Sequence, residues 1–76
     1  DDHMKVIVTN YEMKLLLNDN NSSWRVGLYN LKGNMVLSSV MDSDILELDI
    51  SSFPSGIYIV VLSDGRNSKI SKVMKL

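Results

Sequence analysis

Turn-forming residues break this chain roughly every 8 to 12 residues, a spacing that leaves room for strands and not for helices. An amphipathic helix needs apolar residues at three- and four-residue spacing over about ten positions. The best such window, residues 11–18, runs straight into Asn18-Asp19-Asn20-Asn21-Ser22-Ser23. The other segments either alternate polar and apolar residues or are apolar throughout. Seven segments read as strands: residues 5–9, 12–17, 24–31, 35–39, 44–50, 57–62 and 67–75. Seven short antiparallel strands predict an all-β immunoglobulin-like β-sandwich, with a partly open barrel as the competing architecture. The cysteine pair of antibody domains is absent.

Period two assigns faces within the strands. In residues 24–31, Trp24, Val26 and Leu28 share one side, and Arg25, Gly27 and Tyr29 the other. In residues 44–50, Leu46, Leu48 and Ile50 oppose Glu47 and Asp49, the pattern of a half-buried strand. Residues 57–62 are apolar on both sides, which predicts a central strand covered on both faces. The punctuation is equally specific. Gly33 closes the turn between the third and fourth strands, and Asp64-Gly65 is the strongest hairpin signal in the chain. Pro54 lacks a backbone donor and belongs outside a central ladder, while Gly56 lets the chain bend into the sixth strand.

At 76 residues the chain makes one domain and buries only about 60% of its unfolded surface. Asp1-Asp2-His3-Met4 reads as a cloning remnant joined at a start methionine, so residues 5–76 are taken as the domain. A hydrophobic content of 45% argues against disorder. Net charge is -1, which supplies no phosphate-binding surface, so nucleic acid is not an expected partner. No apolar run is long enough for a helix to span a bilayer.

The residues offer little for catalysis. His3 is the only histidine and there is no Cys, so a zinc site or a nucleophile–base pair lacks partners. The serines sit in turns and on strand faces, outside any nucleophile elbow. Asp42, Asp44, Glu47 and Asp49, with loop oxygens from residues 18–21, could in principle hold calcium, but a solvated strand face is the simpler reading. Trp24, Tyr29 and Tyr58 could build a sugar platform, but core or half-core packing is the simpler reading for them. Lys69, Lys72 and Lys75 cannot share one strand face: Lys69 and Lys75 fall together and Lys72 opposes them. Lysines on a closing strand commonly protect a sheet edge. No enzyme activity and no cofactor are expected.

The order of these pieces carries more than any one of them. A strand ending in a turn glycine, Val26-Gly27-Leu28-Tyr29-Asn30-Leu31-Lys32-Gly33, is followed by the return strand Asn34-Met35-Val36-Leu37. Later come Leu48-Asp49-Ile50-Ser51-Ser52-Phe53-Pro54-Ser55-Gly56-Ile57-Tyr58, a hairpin, and a lysine-rich closing strand. This succession, from Trp24 to Leu76, resembles the C-terminal sorting domain of the type IX secretion system of Bacteroidetes (the Por secretion tail). The family's usual proline-rich opening is missing from residues 9–17, which keep only the strand.

The resemblance implies a non-catalytic signal that follows a cargo domain. The cargo would cross the periplasm, pass the outer membrane, and be secreted or attached to the cell surface by sortase-like machinery. It implies an outer-membrane translocon as partner. Gly56, Tyr58, Lys72, Met74, Lys75 and Leu76 are the implied recognition residues, and Gly33, Pro54, Gly56 and Gly65 the structural turns. Open sheet edges leave room for dimers. The alternative is an immunoglobulin-like accessory or adhesive module of a cell-surface protein.

Overall fold

The computed structural model describes residues 4–17 and 23–76, and within them all seven predicted strands form. They are β1 (Met4–Val8), β2 (Glu12–Leu17), β3 (Trp24–Asn30), β4 (Met35–Met41), β5 (Ile45–Asp49), β6 (Gly56–Ser63) and β7 (Ser68–Lys75). They divide into a three-stranded sheet, β1-β2-β5, and a four-stranded sheet, β4-β3-β6-β7. Every pairing is antiparallel. Two separate sheets face each other, which is the sandwich and not the open barrel.

The core lies where the alternation places it. Met13, Leu15 and Leu17 from β2 meet Trp24, Val26 and Leu28 from β3 and Tyr58, Val60 and Leu62 from β6. Leu48, Ile50 and Met41 close the layer, and Met4, Val6, Val8, Leu37, Leu46, Phe53 and Val73 pack at its margin. Met4 therefore belongs to β1, paired with Leu17. Trp24 takes the buried place on the third strand that immunoglobulin-like sandwiches give a tryptophan, here without a disulfide beside it.

Side chains tie the turns. Thr9 Oγ1 accepts the amide N–H groups of Tyr11 and Glu12 between β1 and β2. Asn30 Oδ1 accepts those of Lys32 and Asn34 between β3 and β4. The Asp64-Gly65 hairpin forms as a loop of residues 64–67. Asp64 Oδ1 accepts from Arg66 at 2.9 Å and from Asn67 at 2.7 Å. These donors, Asn67 first, hold the Asp64 carboxyl below the usual carboxylate range.

Two expectations are corrected. β4 continues past residue 39 to Met41, because Val40 and Met41 stay in the ladder opposite Arg25 and Trp24 and Met41 is buried in the core. The strand also absorbs a bulge: Leu28 pairs with Leu37 and Tyr29 with Met35, leaving Val36 as the extra residue. Such a bulge discourages edge-to-edge pairing. Next, β6 is central but is not covered on both faces. Tyr58, Val60 and Leu62 are buried, whereas Ile57, Ile59 and Val61 remain partly exposed.

Candidate recognition site: the terminal strand and the Pro54 corner

The chain between β5 and β6 makes a turn in which the Phe53 amide donates to the Ile50 carbonyl at 3.0 Å. Gly56 then takes φ = 147°, and a Cβ built there would meet nothing within 4 Å. The glycine is therefore required by backbone conformation and not by lack of space. Tyr58 comes two residues later, and its ring packs inward, 6.1 Å from the Phe53 ring centroid. Its hydroxyl donates to the Pro54 carbonyl at 2.6 Å. This is the tyrosine corner of immunoglobulin-like sandwiches, a side chain near the start of the sixth strand bonding back to the corner that precedes it. The other predicted turn glycines, Gly33 and Gly65, also have positive φ, at 88° and 94°.

β7 is joined to this corner at its far end. Gly56 pairs with Lys75 and Tyr58 with Val73. Lys75 is only 7% exposed. Its ammonium reaches back across 22 residues to donate to the Phe53 carbonyl at 2.5 Å. Two adjacent carbonyls of one loop, those of Phe53 and Pro54, are thus bound by side chains from β7 and β6.

The predicted recognition residues separate into two groups. Gly56, Tyr58 and Lys75 form the joint, and Tyr58 is only 6% exposed. Lys72, Met74 and Leu76 lie outside it, with Met74 56% and Leu76 79% exposed. Ile70, which the motif did not single out, is 68% exposed on the same side as Lys72 and Met74. These outward residues pair with Val61, Ile59 and Ile57 respectively, so the apolar side of β7 continues the half-covered side of β6. Beside the corner, a shallow groove of about 400 Å³ runs to the β3–β4 turn, lined by Leu31, Lys32, Val36, Phe53, Pro54 and Ile57 among others.

The three lysines have three environments. Lys69 Nζ stands 5.6 Å from the centroid of the Trp24 ring. Lys72 is exposed and Lys75 is enclosed. The Trp24 indole N–H is buried without a hydrogen-bond partner among the described residues. The aromatics do not assemble into a platform: Trp24 and Tyr58 are in the core, while the Tyr29 ring lies over Gly27 on the opposite side of β3. At Gly27 an added Cβ would sit 2.9 Å from that ring.

Among the described residues no three carboxylates or histidines converge on a metal-sized site. Residues 18–21, whose oxygens the calcium reading would use, lie outside the described residues, as does His3. Glu47 instead pairs with Lys14 across the strands at 3.5 Å. Asp49 caps the start of the next turn, where the Ser51 hydroxyl and then its amide hold the carboxyl below the usual range.

Comparison with known proteins identifies the family and the fold. The sequence model of the secretion system C-terminal sorting domain matches residues 6–76. No curated protein shows a significant match. Among solved structures, the chain is similar to a DUF3244-family protein with an immunoglobulin-like β-sandwich fold from Bacteroides vulgatus ATCC 8482. That similarity has a TM-score of 0.84 at 15% identity, over 97% of this chain and 84% of the other, and it shows the fold.

Proposed function

The chain belongs to the family of type IX secretion system C-terminal sorting domains, and from that premise we propose that its terminal strand is the address by which an attached cargo is recognised. The family is one of sorting signals and not of catalysts. A sorting signal of this kind serves export across the outer membrane, to the surface or the medium. The finer reading is that cargo waits in the periplasm, is presented to the outer-membrane translocon through this domain, and is then attached to the cell surface by sortase-like machinery. Lys72, Met74 and Leu76 supply contact surface in that reading. Gly56, Tyr58 and Lys75 act from inside by holding the strand in place.

The observation that carries it is the match over residues 6–76, with the family's Pro-x-Gly-x-Tyr segment and the closing strand meeting in one joint. An edge strand with exposed apolar side chains is a natural docking element. The test is an export assay. Residues 5–76 are fused behind a periplasmic reporter in a host with a type IX system, with and without residues 68–76. Reporter on the cell surface only with the complete tail is the expected result. Equal export by the truncated fusion would overturn the proposal.

A further inference from the structure

We propose that Lys75 is a positioning residue: it fixes which face of β7 is presented, and is not itself a contact for the partner. The functional part rests on the sorting reading above; the structural part stands on geometry.

β7 is turned against its own pattern. One side carries Lys69, Ser71, Val73 and Lys75, and the other Ile70, Lys72 and Met74. Hydrophobicity alone would bury the second side, with its isoleucine and methionine. Instead Lys75 is enclosed and Ile70 and Met74 face solvent. An ammonium withdrawn from water is costly unless its protons are received. The Phe53 carbonyl receives one, and Phe53 is itself fixed through its amide on Ile50. Gly56–Lys75 is also the last pair of the β6–β7 ladder, where a strand would otherwise fray.

Register ties these facts together. A slip of one residue along β6 would exchange the two sides of β7. Lys75 would then lose its carbonyl, and Ile70, Lys72 and Met74 would turn inward. The Lys75 ammonium meets the Phe53 carbonyl in the register that leaves Ile70, Lys72 and Met74 outside, beside Val61, Ile59 and Ile57. A lysine at this position therefore determines which surface a partner meets without touching it.

The experiment is amide hydrogen exchange, read by NMR, on the whole chain and on Lys75→Met, which keeps an apolar stem and removes the ammonium. A charge-assisted hydrogen bond at the end of a ladder predicts about tenfold faster exchange for residues 72–75 and their partners at 56–58. Amides of β2 and β5 should keep their rates. Unchanged or slower exchange in β7 would overturn the proposal, as would uniform acceleration in both sheets. If Lys75→Met does not fold, the unmodified chain serves. Its Lys75 ammonium should give a slowly exchanging ¹⁵N–¹H signal coupled to the Phe53 carbonyl carbon, and absence of that coupling refutes the geometry. In the reporter fusion, Lys75→Met should lower surface display; frayed β7 with normal display would refute the functional part. Should the fusion lacking residues 68–76 still be exported, the sorting reading fails while the exchange result stands.

Discussion

Replacing Tyr58 by phenylalanine removes one oxygen atom and leaves the ring in the core, so it isolates the hydroxyl's bond to the Pro54 carbonyl. A neutral hydrogen bond contributes about 1 kcal/mol net, and leaving its acceptor partly buried without a donor raises the loss to roughly 1–2 kcal/mol. A domain of 76 residues has only about 4–11 kcal/mol of stability in total. The loss corresponds to a melting point lower by roughly 5–12 °C. Urea unfolding can be followed by the fluorescence of Trp24, the only tryptophan, which is buried in the folded chain. The midpoint should fall by about 1 M with the slope unchanged. Tyr58→Ala is the contrasting case. It also removes the ring that packs on Phe53, and the expected loss rises to about 3–5 kcal/mol. If Tyr58→Phe unfolds within about 0.2 M of the parent, the corner is held by ring packing and the hydrogen-bond argument is wrong.

Gly56→Ala should cost about 1–3 kcal/mol through its backbone angle alone, since its Cβ meets nothing; calorimetry showing an unchanged melting point would refute that. In the folded chain the Asp64 carboxyl titrates below its ordinary value of 3.8, held there by the Asn67 amide and then the Arg66 amide. Its contribution is therefore complete above that value and is lost as pH falls through the lower, folded one. Asp64→Asn keeps an acceptor for Asn67 and Arg66 but cannot titrate, so its urea midpoint should decline less in acid than the parent's; identical acid limbs would contradict the assignment. Glu47→Gln should change stability by less than about 0.5 kcal/mol, because its pair with Lys14 is solvent-exposed. A larger loss in urea unfolding would mean that the pair belongs to a wider network.

Much of the fold was legible because turns and alternation are local signals. The Asn30–Gly33 and Asp64–Gly65 turns fixed two hairpins. The alternation of Leu46, Leu48 and Ile50 against Glu47 and Asp49 oriented β5 correctly. Local reading failed where a residue's role depends on a distant partner. The fourth strand was expected to end at Ser39, yet Met41 two residues on is needed in the core, so β4 continues. The apolar run of β6 suggested cover on both faces, but a four-stranded sheet in a two-layer sandwich has only one inner side. The tyrosine corner was hidden too: the spacing of Pro54 and Tyr58 marks a motif, whereas the hydroxyl–carbonyl bond requires the corner to be folded.

β7 is the instructive case, because its pattern predicts the wrong face. Two apolar side chains favour burial by roughly 1.5–3 kcal/mol each when fully enclosed, and Ile70 and Met74 forgo it. What opposes them is distributed. The Asp64 loop sets a register of eight consecutive pairs from Ser63–Ser68 to Gly56–Lys75. In that register Lys69 meets the Trp24 ring, and Val73 joins the margin of the core opposite Tyr58. Lys75 finds the Phe53 carbonyl. Each contribution is small alone, and all are lost together on a slip of one residue. The exposed isoleucine and methionine are therefore the consequence of a register fixed elsewhere, which is how a small sandwich can hold an apolar strand face open to a partner while remaining folded.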